Sequence, residues 1–321
     1  MSRGVTCRRL IFFAVLGHLV LGTGSKVSAT PQQLPPRVPT FRTSVDLVRV
    51  GAVVRDRKGR FVKNLSARDF VILDGDQVQK ISDFQVDRPG LSIALLMDVS
   101  GSMEARMDSA REAAKYVLTG LDQIRDEAAV FTFATQLDEV QPFTLALQEL
   151  PQKLSGVRPF GATSLHDAIA GTAARLTSRE GLRRAVIVFT DGSDNWSRLS
   201  AAEASAAASE IDVPVYIVGI VPLIDNPSSG ISAITPERTG IASTLSNLAS
   251  LTGGRSFSAT TPLDRSVIAQ QILDELRHQY LIAFQASRKP GWHALVVRMR
   301  DKDLVVRARS GYNAGQSRPI S

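Results

Sequence analysis

Four short apolar runs punctuate the middle of the chain: residues 91–98 (LSIALLMD), 128–135 (AAVFTFAT), 184–190 (RAVIVFT) and 214–220 (PVYIVGI). Runs of this length without polar alternation are the pattern of strands covered on both faces. Helical spacing fills the gaps between them. Ala110, Ala113, Ala114, Val117, Leu118 and Leu121 fall at i, i+3, i+4, i+7, i+8 and i+11. Further helices are predicted at 145–154, 164–177, 199–209, 241–251 and 263–278, the last with Ile268, Ile272 and Leu276 on one face. Residues 139–143 contain Pro142 and suit an edge strand. Residues 255–260 read as a short strand and 222–238 as a surface loop. The alternation predicts an α/β class: a doubly wound, Rossmann-like, mainly parallel sheet over 90–278.

The flanking segments follow a different rhythm. Residues 43–89 alternate like strands through Val45, Leu47, Val48, Val50, Val53 and Val54. They turn at Asp56-Arg57-Lys58-Gly59, which reads as a hairpin turn, and resume at Val71, Ile72 and Leu73 before Asp74-Gly75. Three more strand-like pieces close the chain at 279–284, 294–299 and 303–309. Each set is too small to bury a core alone. The prediction is that 43–89 and 279–312 pair into one small β-sandwich-like domain built from both ends of the chain, with 313–321 as a tail.

The first 29 residues change the reading of charge. Arg3, Arg8 and Arg9 precede an apolar run from Leu10 to Leu21, and Val27 and Ala29 occupy small-residue positions. This is the pattern of a secretory signal peptide over 1–29, cut after Ala29; the apolar run is shorter than the roughly 20 residues a membrane-spanning helix needs. Residues 30–42 form a Pro-rich linker. The net charge of +7 includes the leader's Arg3, Arg8, Arg9 and Lys26, with no acid, so the mature chain carries +3. That balance gives no support to a nucleic-acid partner. The only cysteine, Cys7, lies in the leader. The mature chain therefore has no disulfide and no cysteine-based metal or redox chemistry.

The candidate chemistry follows the first apolar run. Asp98, Ser100 and Ser102 alternate along the loop after it, and Gly101 allows a tight turn between the serines. In open α/β sheets, ligands bind beyond the carboxyl ends of strands where strand order reverses. A hard divalent cation prefers such oxygen ligands and retains some waters. Thr163, in Gly161-Ala162-Thr163-Ser164, and Asp191, which ends the third run before Gly192, are expected on the same edge.

These three separated pieces resemble the metal-ion-dependent adhesion site of von Willebrand factor A domains. The resemblance covers about 91–278. The wider frame is similar to exported bacterial proteins of this type, through Leu73-Asp74-Gly75 before the domain, and Gln279-Tyr280-Leu281-Ile282 and the segment 308–312 after it. The resemblance implies that Asp98, Ser100, Ser102, Thr163 and Asp191 hold Mg²⁺ or Mn²⁺. It implies direct coordination by the two serines, an optional direct bond from Thr163, and carboxylates that often act through water. An Asp or Glu carboxylate of a protein partner then takes the open position.

The expected function is an exported, periplasmic or extracellular, metal-dependent binding or adhesion module. It is expected not to be an enzyme and to have no stable membrane span once mature. Two other readings stay open: a scaffold whose β strands make the contacts, and a phosphoryl-transfer enzyme with Asp98 as nucleophile. The latter lacks the second Asp two residues on, because Ser100 stands there. The plainer reading of Ser100 and Ser102 is as helix caps near Met103. Asp194 reads as a solvated loop acid, His166 as a capping or packing residue, and His278 and His293 as structural. Trp196 reads as either exposed beside the site or partly buried. Asn64-Leu65-Ser66 and Asn195-Trp196-Ser197 match a glycosylation pattern.

Overall fold

The computed structural model describes residues 47–86, 90–179, 181–210, 212–221 and 236–315. The leader expected at 1–29, the linker at 30–42, most of the loop at 222–238 and most of the tail at 313–321 lie outside them. The described elements belong to one compact unit, Val45–Ser321.

The central sheet has six strands. β5 (Leu91–Asp98) lies between β6 (Glu127–Phe133) and β8 (Arg183–Thr190), both parallel to it. β9 (Val215–Ile220) and β10 (Ser256–Ala259) continue the parallel run beyond β8. β7 (Leu137–Thr144), which carries Pro142, closes the other edge antiparallel to β6. All eight residues of β5 are buried, which explains why its apolar residues run unbroken from Ile93 to Met97. Its alternate side chains enter two different cores. Ile93, Leu95 and Met97 pack with α1 (Met107–Thr119), α2 (Leu150–Ser155) and α6 (Pro262–Arg277). Ala94 and Leu96 pack with α3 (Leu165–Arg175), α4 (Ala201–Glu210) and α5 (Pro236–Leu251). The mixed sheet with helices on both faces is an α/β architecture.

Two four-stranded sheets frame this unit. One has β1 (Leu47–Asp56) between β13 (Leu304–Arg307) and β11 (Gln279–Gln285), with β4 (Ile81–Gln85) beyond β11. In the other, β12 (Gly291–Met299) lies between β14 (Gly311–Ala314) and β2 (Phe70–Asp74), with β3 (Gln77–Gln79) at the edge. Val50 stands opposite Ile282 and Ile72 opposite Val297. Both sheets feed one core through Val50, Ile72, Tyr280, Phe284, Leu295 and Tyr312. The turn at Asp56–Gly59 forms, with the Gly59 amide donating to the Asp56 carbonyl. It returns as a single bridge between Arg55 and Phe61 rather than a second strand.

Two polar clusters fasten the frame. Asp74, at the end of β2, is buried and accepts from the Tyr312 hydroxyl at 2.6 Å, while His293 Nδ1 lies 2.8 Å from its other oxygen. Burial, followed by this bond to Asp74, pushes the Tyr312 phenol up to about 12. Glu275 near the end of α6 is fully buried and receives three guanidinium groups. Arg55 reaches it from β1 at 3.1 Å, Arg255 from just before β10 at 2.9 Å, and Arg307 from β13. His278 stacks on Phe61 with ring centroids 4.5 Å apart. His278 thus packs against the frame and His293 fastens it by hydrogen bonding, so both are structural.

Candidate functional site

The site forms where strand order reverses. From β5 the chain crosses through α1 to β6 on one side, then returns through α3 to β8 on the other. Asp98 is the last residue of β5, so it stands at the carboxyl end of the sheet between these departures. Its side chain is fully buried. One carboxylate oxygen accepts from the Ser100 amide at 2.9 Å, and the other from the Thr190 hydroxyl at 2.6 Å. Burial pushes the Asp98 carboxyl above its usual range. The bonds from Ser100 and Thr190 oppose this, and the negative charge of Asp191 adds to it. The two acids thus repel each other, and a cation placed between them would relieve that repulsion.

The loop after β5 is held by the backbone. The Val99 amide donates to the Phe133 carbonyl at 2.8 Å, and the Val99 carbonyl accepts from the Phe160 amide at 2.7 Å. A 3-10 helix, Gly101–Arg106, follows and leads into α1; its Ser100 N-cap makes no side-chain capping bond. Instead the Ser100 and Ser102 hydroxyls face each other at 3.1 Å. Helix capping therefore does not account for the two serines. Ser100 is buried, and Ser102 is exposed at the mouth.

Thr163 and Asp191 lie on loops tied to this one and to each other. The Gly101 amide donates to the Gly161 carbonyl at 3.1 Å. Gly161 has φ +94°, a conformation that favours glycine. Two residues on, Thr163 is buried, and its amide donates to the Asn195 side chain at 2.9 Å. Its carbonyl accepts from the Asn195 and Trp196 amides, both at 3.0 Å. The Thr163 hydroxyl takes no hydrogen-bond partner among the described residues. Asp191 accepts from the Ser193 amide at 3.1 Å, and its other oxygen lies 3.7 Å from an Arg106 guanidinium nitrogen. Direct side-chain contact joins Ser100 with Ser102. Thr163 and Asp191 are linked to that group through backbone and through Arg106.

The donor set is all oxygen: two carboxylates and three hydroxyls. Among the described residues no three His, Cys, Asp or Glu side chains group so that they could hold a metal ion. An ion here would thus rely on the hydroxyls. Such a set fits Mg²⁺ or Mn²⁺, which take oxygen ligands and retain waters.

The supporting roles of three residues escaped the sequence reading. Thr190 anchors Asp98, Arg106 faces Asp191, and Asn195 locks Thr163. Asp194 needs correction: it is not a solvated loop acid. It accepts from the His166 amide at 2.9 Å and the Ser197 hydroxyl at 2.7 Å, capping the first turn of α3 from a neighbouring loop. Ser164 formally begins that helix yet makes no capping bond with its side chain. The Ser193–Ser197 stretch, dense in turn-forming side chains, carried the signal for this role. Trp196 is 61% exposed.

Residues 93–193 match the family model described as von Willebrand factor type A domain, a stretch running from β5 past Asp191 and covering less than half of the chain. No curated protein matches. Similar solved structures include the conserved hypothetical protein BatB from Bacteroides thetaiotaomicron. It has 22% identity, covering 58% of this chain and 98% of that one, with a TM-score of 0.47. The PilB minor pilin from Streptococcus sanguinis has 14% identity over 60% of this chain and 62% of that one, with a TM-score of 0.43. A von Willebrand factor type A protein from Catenulispora acidiphila has 12% identity over 85% and 75%, with a TM-score of 0.45. At these identities and scores the likeness does not extend to function. Among the described residues no helix is long and apolar enough to cross a membrane.

Proposed function

We propose that this protein is an exported, periplasmic or extracellular, binding module that engages an acidic protein partner through one divalent cation. Asp98, Ser100, Ser102, Thr163 and Asp191 would hold Mg²⁺ or Mn²⁺, and the ion would supply a positive centre for a partner's Asp or Glu carboxylate. The observation that carries the reading is the pairing of the Ser100 and Ser102 hydroxyls at 3.1 Å above the buried Asp98. Neither hydroxyl is spent on a helix cap. The strands within 43–89 and 279–312 act in this proposal as one accessory β domain.

The chain's own residues do the positioning. Thr190 and the Ser100 amide fix the Asp98 carboxylate. Asn195 fixes the Thr163 loop, and Arg106 balances Asp191 in the ion-free protein. A binding role rather than catalysis is favoured by Ser100, since no acid or base stands two residues after Asp98.

Calorimetric titration of the full chain with Mg²⁺ and with Mn²⁺ tests the proposal. One-site binding is expected, lost in Asp98→Ala and weakened at least about tenfold in Ser100→Ala. Silence from the wild-type protein with both ions overturns it. Partner capture that survives chelator and Asp98→Ala would shift the contacts to the β strands.

A further inference from the structure

Two large aromatic side chains stand open on the loops that build the candidate site. Phe160 is 85% exposed and Trp196 is 61% exposed. Scattered exposed apolar residues are ordinary on a protein surface, but these two are held by the site itself. The Phe160 amide donates to the Val99 carbonyl, one residue after Asp98, and the Trp196 amide donates to the Thr163 carbonyl. Their backbones are thus fixed before any partner arrives, which lowers the ordering cost of binding.

Charge repeats on both loops. Exposed Arg158 precedes Phe160 by two residues, and exposed Arg198 follows Trp196 by two. Glu104 is the exposed acid on the neighbouring 3-10 helix. An aromatic residue with an arginine beside it is the composition that dominates binding energy at protein interfaces. Exposed Asp108, paired with Arg111, and Asp167, which accepts from the Arg198 amide, give the rim both signs of charge, so the positive centre for an acidic segment would be the ion itself.

Resting on the metal-dependent reading above, we infer that the partner is a protein segment whose Asp or Glu is flanked by a large apolar side chain, recognised by Phe160 and Trp196. The ion would take the carboxylate, and the two aromatics would select its neighbours.

The test uses the full chain carrying Trp292→Phe, which leaves Trp196 as the only tryptophan. An array of short peptides centred on Asp or Glu, flanked by Phe, Trp or Leu in one set and by Ser in the other, is probed with Mg²⁺ or with chelator. The apolar-flanked set should be retained at least about tenfold better, with a blue shift of Trp196 emission. Phe160→Ser and Trp196→Ser should each remove most of that preference while keeping the thermal midpoint and the heat of Mg²⁺ binding. Equal or absent retention of the two sets, with Mg²⁺ binding intact, overturns this inference and leaves the metal site standing. So does a preference that survives both substitutions. A change of oligomeric state in those variants assigns the aromatics to a second copy of the chain and also overturns it. Absence of Mg²⁺ binding itself sinks the underlying reading instead.

Discussion

Thr190 donates its hydroxyl hydrogen to Asp98 across two adjacent parallel strands, at 2.6 Å, and accepts from the Gly192 amide at 3.0 Å. One small side chain therefore joins the buried acid to the loop that carries Asp191. Thr190→Val preserves shape and deletes both bonds. It should lower unfolding free energy by about 1–3 kcal/mol, because a buried carboxylate oxygen loses its donor. Urea unfolding should show a lower midpoint with an unchanged slope. Thr190→Ser should recover most of the loss.

Gly161 occupies φ +94°, and an added Cβ would meet the Thr135 hydroxyl at 2.9 Å. Gly161→Ala is therefore strained on two counts. A loss of about 1–3 kcal/mol is expected, measured by thermal or urea unfolding. Its carbonyl also receives the Gly101 amide, so Mg²⁺ affinity by calorimetry should fall with it. Gly156→Ala, in open space nearby, should leave both unchanged.

Glu275 is the shared acceptor for Arg55, Arg255 and Arg307. Removing its charge leaves three guanidinium groups crowded without their anion. Glu275→Gln should cost about 3 kcal/mol, at the low end for a broken buried pair because the arginines keep some solvent. Arg255→Ala, removing only the most exposed of the three (41% for its side chain), should cost far less. Urea unfolding of both variants checks the order.

His293 predicts a pH dependence. Its Nδ1 lies 2.8 Å from Asp74 and its Nε2 lies 2.8 Å from the Lys289 carbonyl. Only the protonated ring donates to both. The Lys289 carbonyl and then Asp74 raise its pKa, against partial burial and the Lys289 charge. A raised folded value means the stabilisation is complete below about pH 6.5, the unfolded histidine value. It is lost as pH rises through the folded value. His293→Gln should flatten that stretch of the stability curve, followed by urea midpoints across it.

The sequence made the central sheet legible because β5, β6, β8 and β9 are each buried on both faces, and burial of that kind leaves unbroken apolar runs. β3 and β4 were harder to read. They are short edge strands with exposed side chains at Gln77, Val78 and Asp83, so no alternation marks them. α5 begins at Pro236, earlier than the pattern at 241–251 suggested. At the candidate site, Asp98, Ser100, Ser102, Thr163 and Asp191 stood out through spacing and strand position. Thr190 and Asn195 did not, because their roles depend on contacts made across 92 and 32 residues of chain. No local pattern encodes those contacts. Asp194 was misread for the same reason: its partner His166 lies 28 residues earlier.

The pairing of β1 with β11 has a consequence for how the protein is born. Leu47 lies opposite Gln285 and Val53 opposite Gln279, so apart from the local bridge between Arg55 and Phe61 β1 has no strand partner until more than two hundred further residues have emerged. Through that interval Val48 and Val50 wait with bare strand edges, open to self-association. A nascent chain of this design gains from a chaperone that keeps it unfolded until β11 has emerged, and a truncation before residue 279 would strand β1 permanently as a seed for aggregation.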